Sequence, residues 1–290
     1  MSHVCPCCGN TSWTHWGEVK DYSVTAEMFN LEQCTGCSVI RTIIDSSQDL
    51  GKYYQSQEYI SHTSSAKNLM QEIYLLARKY TLHRKQKFLT QLAGGKKSIL
   101  DYGCGTGDLL AALRKSGWSA EGLEPDNSAR LKAISKGTTV YTSLSEIPPT
   151  QTYQLITLWH VLEHVPEPAD VLEQLKKRLA QNGRMIIAVP NPNSADAQHY
   201  QSFWAGLDVP RHLWHFPRKS MSHLADKIHM KLDQVHPLRL DSFYVSLLSE
   251  QYQGATGITR WINGLQNGLS SNMKANKTGE WSSLIYILQA

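Results

Sequence analysis

The sequence lacks the features of membrane-spanning, exported and disordered proteins. No run of about 18 apolar residues occurs in the 290-residue chain, and the first residues show no basic region followed by an apolar core. Hydrophobic residues make up 41% and charged residues 19%, which is typical of ordinary globular proteins. We therefore expect a cytoplasmic protein without a membrane partner.

Neither sign of charge dominates the chain, whose formal net charge is +4. This excess is small for a dedicated nucleic-acid-binding protein. The candidate basic surface lies within residues 76–97 and consists of Arg78, Lys79, Arg84, Lys85, Lys87, Lys96 and Lys97. At helical spacing these residues favour a solvated face, so nucleic acid is the weaker candidate partner.

Cysteine is scarce outside the N-terminus, since five of the six cysteines fall within the first 37 residues. Two C-x-x-C pairs are formed by Cys5, Cys8, Cys34 and Cys37. In a reducing compartment such pairs favour a metal, and four thiolates are a usual ligand set for structural zinc. We predict a zinc-ribbon-like module over residues 1–45, with disulfides or an iron–sulfur centre as alternatives. Cys7 is a spare thiol that can replace Cys8 as ligand.

A glycine-rich turn follows a short apolar strand in the stretch S-I-L-D-Y-G-C-G-T-G-D-L-L, which begins at Ser98. The pattern predicts a strand, a loop and then an amphipathic helix. Gly103, Gly105 and Gly107 alternate, so the spacing differs from the G-x-G-x-x-G of dinucleotide-binding folds. Glycines at this spacing remove β-carbons where the backbone must approach a ligand.

A carboxylate ends the next strand pattern, W-S-A-E-G-L-E, at Glu124. An acidic side chain in this place accepts hydrogen bonds from the two hydroxyls of a ribose. A solvated acid at a strand end is the alternative. The third strand pattern, T-T-V-Y-T-S-L-S, ends without an acidic residue, so ligand contacts there fall to Ser143 and Leu144.

Strand and helix patterns alternate through the rest of the chain. A linking helix is predicted over residues 66–92, a fourth strand in Y-Q-L-I-T-L-W-H, a helix over 168–180 and a fifth strand in R-M-I-I-A-V-P. A strand over 231–236 and a last strand in W-S-S-L-I-Y-I-L follow a further helix. This order predicts an α/β fold with a doubly wound, mainly parallel, seven-stranded sheet.

One later segment is predicted to lie outside the core. Residues 190–217 are rich in Asn, Pro, His and aromatic residues, and we interpret them as a lid. The stretch between the last two strands is interpreted as polar and variable. The predicted organisation is therefore a metal module over 1–45, a linking segment over 46–95 and a main domain over 96–290.

The motifs G-C-G-T-G and L-E-H-V-P resemble those of class I S-adenosylmethionine-dependent methyltransferases, over residues 99–236. This broad family includes ubiquinone-type and sugar methyltransferases and has a Rossmann-like fold. The resemblance implies that Asp101 lies near the amino acid end of the cofactor. Because cysteine is small, Cys104 is interpreted as a filler residue in the turn. The implied cofactor-binding residues are Asp101, Gly103, Cys104, Gly105, Gly107, Glu124, Pro125, Ser143, Leu144 and Trp159.

Paired cysteines before such a core are also similar to those of nucleotide-sugar C-methyltransferases. In those enzymes a Glu-His pair after the fifth strand includes the proton-abstracting base. The corresponding stretch here, D-V-P-R-H-L-W-H-F, suggests His212 as base, with Arg211 in the place of the Glu. Arg211 is expected to hold an anionic group such as a phosphate.

A second polar cluster, His160, Glu163 and His164, lies at the end of the fourth strand. A similar E-x-x-E-H stretch holds a divalent ion in some ubiquinone-type O-methyltransferases. Three roles remain open for the cluster: a base or substrate contact, a metal site, or local hydrogen bonding. His199 and His215 are weaker candidates.

The resemblance implies methyl transfer from S-adenosylmethionine to an oxygen or carbon of a small metabolite, with a carbohydrate, quinone-like or polyketide-like acceptor. One alternative is a ribosomal or transfer RNA methyltransferase assisted by the zinc module. A second is a non-enzymatic interaction protein that senses the cofactor.

Overall fold

The computed structural model describes residues 4–45, 50–54 and 66–289. The predicted linking segment is therefore only partly covered, because residues 46–49 and 55–65 lie outside the described residues. The strands are β1 (Trp13–Lys20), β2 (Met28–Cys34), β3 (Ile40–Thr42), β4 (Ser98–Tyr102), β5 (Ser119–Leu123), β6 (Thr139–Tyr141), β7 (Tyr153–Trp159), β8 (Leu179–Pro190), β9 (Trp214–His215), β10 (Lys231–Pro237) and β11 (Ser283–Gln289). The helices are α1 (Ala66–Leu92), α2 (Asp108–Lys115), α3 (Asn127–Ser135), α4 (Pro168–Lys176), α5 (Ala195–Tyr200), α6 (Arg218–Lys227), α7 (Asp241–Tyr252) and α8 (Gly257–Thr278).

Seven strands form one sheet in the order β10-β11-β8-β7-β4-β5-β6. The pairs β4–β5, β4–β7 and β5–β6 are parallel, and β10–β11 is antiparallel. The predicted α/β class and mainly parallel seven-stranded sheet are confirmed. The strand order reverses between β4 and β7, and ligands of such sheets gather at the carboxyl ends of the strands at that point.

The contacts of the chain divide it into two compact units. The glycine-loop unit contains the described parts of residues 57–159 and 175–186. The histidine unit contains the described parts of residues 1–56, 160–174 and 187–290. The domain boundaries inferred from the sequence stay a prediction. Each helix in the described ranges is too short or too polar to span a lipid bilayer.

In the glycine-loop unit, helix α2 is fixed beneath the glycine turn by its apolar face. Leu109, Leu110 and Leu113 are buried at the spacing that places them on one side of the helix. Gly107 precedes α2 with a positive φ of 72°. A β-carbon on Gly107 would come within 2.7 Å of Ala133 in α3. The packing of α2 against α3 therefore requires glycine at this position.

In the histidine unit, the N-terminal strands form a second sheet in the order β1-β2-β3-β9. Its last strand comes from the predicted lid, since Ile40 pairs with His215 and Arg41 with Trp214. The expectation that residues 190–217 lie outside the core is therefore wrong. The buried hydrophobic residues of the segment include Trp204, Leu207, Val209, Leu213, Trp214 and Phe216. Aromatic and apolar residues between the polar ones supply this core, and whether the segment moves as a lid stays a prediction.

The stretch between the last two strands is also more regular than expected, because it forms the antiparallel helices α7 and α8. Two glycines within α8 allow the close approach. β-carbons on Gly264 and Gly268 would lie 2.7 Å from Leu247 and 2.8 Å from Phe243. The sequence analysis did not predict these two helices, because the packing face of α8 consists of glycines and other small residues.

Candidate functional site

Two matching turns carry the N-terminal cysteines. The N–H of Gly9 donates to the carbonyl of Cys5 at 3.0 Å, and the N–H of Ser38 donates to the carbonyl of Cys34 at 2.9 Å. Both turns close through a residue with positive φ, 76° at Gly9 and 67° at Ser38. A β-carbon on Gly36 would lie 3.0 Å from the sulfur of Cys8 and 3.0 Å from the side-chain nitrogen of Asn10, so a larger residue there would crowd the cysteines.

The four paired cysteines face one another. Their Sγ atoms lie within 4.8 Å of one another, with Cys5 to Cys37 at 3.5 Å and Cys8 to Cys34 at 3.6 Å. Sulfurs bound about 2.3 Å from one zinc ion in a tetrahedron are about 3.8 Å apart, so the donor set fits zinc. The same distances exclude a disulfide between these atoms, and all four thiols are free.

The glycine loop and the strand-end carboxylate form one hydrogen-bonded group. Glu124 accepts from the N–H of Gly105 at 2.8 Å and from the N–H of Asp126 at 2.9 Å, one on each oxygen. Arg130 donates to the carbonyls of Glu124 and Pro125, both at 2.9 Å. Because backbone groups orient the carboxylate, each of its oxygens keeps a lone pair for a ligand.

Asp101 is buried at the end of β4 and accepts a hydrogen bond from the hydroxyl of Thr157 at 2.6 Å. Burial raises the pKa of Asp101 to about 6, although the Thr157 hydrogen bond and the charge of Lys85 act in the opposite direction. A cationic ligand near Asp101 would lower this pKa, because a positive charge nearby stabilises the ionised carboxylate.

The residues of the turn differ in what they do. A β-carbon on Gly105 would meet nothing within 4 Å, so this glycine borders open space, unlike Gly107. The sulfur of Cys104 lies 2.5 Å from the place of a β-carbon on Gly122, which fits its expected role as a small filler. Burial raises the pKa of the Cys104 thiol to about 12, so it stays protonated. Ser143 and Leu144 are half-buried, and the Ser143 hydroxyl bonds that of Ser145 at 2.7 Å.

Lys85 is a residue that sequence analysis missed. It was grouped with the basic residues of a solvated face, yet its ammonium lies 4.0 Å from the ring centroid of Trp159. Its charge also acts on Asp101. Within the described residues, the indole N–H of Trp159 is buried without a hydrogen-bond acceptor. The sequence does not distinguish Lys85 from the other basic residues of this helix, because its contact with Trp159 depends on the fold.

In the histidine unit, four of the predicted polar residues come together. The ring of His212 lies 4.7 Å from that of His164, and its Nε2 lies 4.0 Å from an oxygen of Glu163. Nδ1 of His160 lies 3.5 Å from the same oxygen. The N–H of Leu213 donates to the carbonyl of Glu163 at 2.8 Å, which anchors the His212 segment beside residues 160–164.

The residues of this cluster differ in their protonation. Although burial disfavours a charged imidazole, Asp241 and Glu163 raise the pKa of His160 to about 10. Asp241 lies 3.0 Å from Nε2 of His160, and His160 itself has a positive φ of 55°. Burial alone would raise the pKa of Glu163, but His160 and His212 hold it below its usual range. A protonated His160 cannot accept a proton at neutral pH.

The remaining histidines are neutral or fixed in one tautomer. Burial and the neighbouring His212 lower the pKa of His164 to about 4, and burial lowers that of His215 to about 3. Nδ1–H of His212 donates to the carbonyl of Gly206 at 2.9 Å, which leaves Nε2 with its lone pair. Nε2 of His212 lies 4.0 Å from an oxygen of Glu163 and 4.0 Å from an oxygen of Asp208, and the pKa of each carboxyl is held below its usual range.

Arg211 does not have the expected role of holding an external anion. Its guanidinium bonds Asp208 at 2.5 Å, Asp21 at 3.4 Å and the carbonyl of Tyr53 at 3.0 Å. These ion pairs occupy the donors and fix the segment before His212. His199 lies on α5 with its ring against Tyr200, away from the cluster.

The carboxylate of Glu163 is unusual for a buried group. Its side chain is 1% exposed, and neither oxygen has a hydrogen-bond donor among the described residues. Glu163, His164 and His212 each offer a ligand atom, all within 4.8 Å, so the predicted alternative of a metal ion keeps geometric support. Local hydrogen bonds also hold the imidazoles, from His164 to the carbonyl of Arg211 at 2.9 Å and from His160 to Asp241 at 3.0 Å, so the role of the cluster stays a prediction.

Curated relatives share the region around these motifs. The chain is 35% identical over 119 residues to a ubiquinone biosynthesis O-methyltransferase of Photobacterium profundum, covering 37% of this chain and 50% of the relative. The same-named protein of Yersinia enterocolitica is 32% identical over 130 residues, covering 39% of this chain and 53% of the relative. The chain thus spans about half the length of the curated relatives it matches.

Solved structures show the same fold at low identity. A geranyl diphosphate C-methyltransferase of Streptomyces coelicolor A3(2) aligns with a TM-score of 0.51 and 14% identity, over 79% of this chain and 85% of that one. An S-adenosylmethionine-dependent methyltransferase of Archaeoglobus fulgidus aligns with a TM-score of 0.50 and 17% identity, over 73% and 94%.

The family described as methyltransferase domain matches residues 74–235, which is more than half of the chain and includes the glycine loop, Glu124 and the cluster of residues 160–164. The strand order and the hydrogen bond between the loop and Glu124 agree with that match. The chain therefore belongs to the class I S-adenosylmethionine-dependent methyltransferase family.

Proposed function

We propose that the chain is an enzyme that transfers the methyl group of S-adenosylmethionine to an oxygen or carbon of a small-molecule acceptor. The observation that carries the proposal is the hydrogen bond from Gly105 to Glu124, which joins the glycine loop to the strand-end carboxylate. Membership of the family and the names of the relatives support it. Carbohydrate, quinone-like and polyketide-like compounds are the acceptor classes to test.

The cofactor is assigned to the glycine-loop unit. Glu124 would accept from the ribose hydroxyls through the lone pairs that Gly105 and Asp126 leave unused. Asp101 and Lys85 would supply opposite charges for the amino and carboxylate groups of the methionine portion. The proposed contacts are Asp101, Gly103, Cys104, Gly105, Gly107, Glu124, Pro125, Ser143, Leu144 and Trp159, with Lys85 added. S-adenosylmethionine supplies a methyl group that its sulfonium already activates.

Removal of the proton from the acceptor is assigned to His212. Its Nδ1–H is held by the carbonyl of Gly206, so Nε2 accepts the proton as the acceptor atom forms its bond to the methyl carbon. The resulting imidazolium would lie beside the ionised Glu163, whose oxygens otherwise lack donors. The carbonyl of Gly206 on Nδ1 would orient the ring, while Glu163 would stabilise the imidazolium from the Nε2 side. His164 and the charged His160 would position the pair.

The N-terminal module would hold one structural zinc ion on Cys5, Cys8, Cys34 and Cys37. All four positions of the tetrahedron belong to the protein, so the ion would take no part in the reaction. The ion would join the segment before β1 to the turn after β2, since each side supplies one cysteine pair.

The test of the proposed function is production of S-adenosylhomocysteine by the full chain. The protein is incubated with S-adenosylmethionine and fractions of a cell extract, separated into small molecules and RNA, and products are detected by mass spectrometry. We expect S-adenosylhomocysteine and one methylated compound with a small-molecule fraction. Turnover only with the RNA fraction would support the nucleic-acid alternative. Cofactor binding without turnover in any fraction would support the cofactor-sensing alternative.

A further inference from the structure

The segment that carries His212 is attached to the N-terminal sheet. Strand β9 begins two residues after His212 and pairs with β3, where Ile40 is opposite His215 and Arg41 is opposite Trp214. In the sheet order β1-β2-β3-β9, β3 is therefore the strand of the N-terminal segment that borders β9. Residues far apart in the chain share one ladder of hydrogen bonds here.

Thr42, the last residue of β3, continues this pairing beyond the end of β9. Its N–H donates to the carbonyl of Leu213 at 3.0 Å, and its hydroxyl donates to the carbonyl of His212 at 2.7 Å. Because the N–H is already used, the hydroxyl is the group of Thr42 that reaches His212. Thr42 is buried, so a side chain without a hydroxyl would leave the carbonyl of His212 without this donor in a region shielded from water.

His215 orients the hydroxyl of Thr42. Its Nε2 lies 3.3 Å from the hydroxyl oxygen, and both residues are buried. Since the one hydrogen of the hydroxyl is directed to the carbonyl of His212, the oxygen accepts from His215, and this assigns the proton of His215 to Nε2. The bonds form one chain, from the imidazole of His215 through Thr42 to the backbone of His212.

The hydrogen-bonding groups of His212 other than Nε2 all have partners. The N–H donates to the carbonyl of Asp208 at 3.0 Å, and Nδ1–H donates to the carbonyl of Gly206 at 2.9 Å. Both of these partners belong to the loop that directly precedes His212. The bond from Thr42 comes instead from a strand, so it ties His212 itself to the N-terminal sheet.

We propose that Thr42 is a positioning residue for methyl transfer, which holds the backbone of His212 so that Nε2 faces the acceptor. This inference rests on the proposed role of His212 as base. A base must lie within hydrogen-bond reach of the proton that it removes, so a small displacement of its backbone lowers the rate strongly. The N-terminal sheet would thus take part in the reaction by holding the base.

The test compares Thr42→Val, which removes the hydroxyl but keeps the size of the side chain, with Thr42→Ser, which keeps the hydroxyl. The full chain is incubated with S-adenosylmethionine and a dilution series of the small-molecule fraction of a cell extract. Thr42→Val should lower the maximal rate of S-adenosylhomocysteine production by about 10- to 100-fold. Thr42→Ser should stay within about threefold of the unmodified chain. The dilution that gives the half-maximal rate and the calorimetric affinity for S-adenosylhomocysteine should stay the same.

The matched control is Thr14→Val, which removes a hydroxyl that donates to the carbonyl of Gln33 at 3.3 Å. This bond joins β1 to β2, and β1 lies at the opposite edge of the sheet from β9, so the control should keep the full rate. A maximal rate of Thr42→Val within about threefold of the control would overturn the proposal. So would an equal loss in Thr42→Ser, or a loss confined to the half-maximal dilution or to cofactor affinity.

A second readout needs no acceptor. In protein with ¹⁵N-labelled histidine, NMR measures the exchange of Nδ1–H of His212 with solvent, and His212→Asn assigns the signal. This exchange should be about fivefold faster in Thr42→Val than in Thr14→Val, the effect of one lost hydrogen bond on local opening. Equal exchange rates would contradict the proposal. If Thr42→Val loses its cooperative thermal unfolding, His215→Phe decides, because it removes the donor to the hydroxyl and should change both readouts in the same direction.

Failure of this inference can be told from failure of the proposed function. Loss of turnover in His212→Asn without loss in Thr42→Val overturns the role of Thr42 alone. Unchanged turnover in both variants overturns the assignment of the base to His212.

Discussion

The two units hold their charged groups in different ways. In the glycine-loop unit, the carboxylate of Glu124 is oriented by two backbone N–H groups. In the histidine unit, the carboxylate of Glu163 is surrounded by imidazoles and receives no hydrogen bond within the described residues. A carboxylate fixed by backbone is ready for a neutral ligand, whereas one set among imidazoles responds to their protonation. We infer that binding belongs to the first unit and proton transfer to the second.

The largest effect expected in either unit is removal of the metal. Cys5→Ser or Cys34→Ser should abolish the one zinc per chain and unfold the N-terminal segment, because structural zinc sites contribute about 10–16 kcal/mol in apparent binding free energy. Elemental analysis and thermal unfolding measure the two effects. Cys104→Ser is the control and should keep the metal. A metal-free chain with unchanged stability would contradict the assignment.

The variant His212→Asn tests most directly whether proton transfer belongs to the histidine unit. If Nε2 is the base, turnover should fall by about 10²–10⁴-fold, while cofactor affinity stays the same. Single-turnover assays and calorimetry separate the two quantities. His199→Asn is the control, since His199 lies against Tyr200 outside the cluster. A loss of less than about threefold would move the base to another residue. A second metal ion per chain in elemental analysis, in addition to the zinc on the four cysteines, would favour the metal alternative at Glu163.

In the other unit, Glu124→Ala should weaken binding of S-adenosylhomocysteine by about 30- to 1000-fold, because two hydrogen bonds to a charged acceptor are lost. Isothermal titration calorimetry gives the dissociation constant directly. Glu173→Ala removes an exposed glutamate from α4 and serves as control. If Glu124→Ala and Glu173→Ala both bind S-adenosylhomocysteine like the unmodified chain, cofactor binding does not depend on Glu124 and the division of roles between the units is wrong.

A smaller effect in the same unit is expected from Lys85→Gln. Loss of one cation beside Asp101 and Trp159 should weaken cofactor binding by about tenfold, the size of one charge-assisted contact. Lys87→Gln, which removes an exposed lysine two residues further along α1, should have no effect. Equal cofactor affinities of the two variants in calorimetry would show that Lys85 does not contact the cofactor.

The smallest effect is a pH dependence specific to the histidine unit. The pKa of His160 is raised to about 10, above that of an unfolded histidine, so its stabilisation is complete below about pH 6.5. It is lost as pH rises toward 10, and solvent screening limits it to about 1 kcal/mol. Between pH 6 and pH 10, the midpoint temperature of thermal unfolding should therefore fall less steeply for His160→Gln than for the unmodified chain. Parallel curves would show that His160 is not charged.

The sequence predicted best those features that depend on neighbouring residues. The strand at 98–102, the turn and helix α2 follow from one contiguous pattern, and α1 spans the predicted residues 66–92. Lys85 was missed because its partner Trp159 is far along the chain. Arg211 was misjudged because two of its partners, Asp21 and the carbonyl of Tyr53, lie in the N-terminal segment, although its partner Asp208 is only three residues away in the sequence.

The two misinterpreted segments share a physical reason. Residues 190–217 look too polar for a core, yet their polar groups are satisfied locally, as when Asp196 accepts from the indole of Trp204 at 2.8 Å. In α8 the hydrophobic pattern is present but lies on the outer face, while glycines form the inner one. Composition and periodicity do not reveal which face of a helix is buried.

The central claim is that the glycine loop and Glu124 hold S-adenosylmethionine. A crystal structure of the full chain with S-adenosylhomocysteine tests it most directly. We predict that the ribose hydroxyls lie within hydrogen-bond distance of the Glu124 carboxylate, and that the homocysteine portion lies along Gly103, Gly105 and Asp101. A ligand bound elsewhere, with both Glu124 oxygens still bonded only to Gly105 and Asp126, would contradict the account.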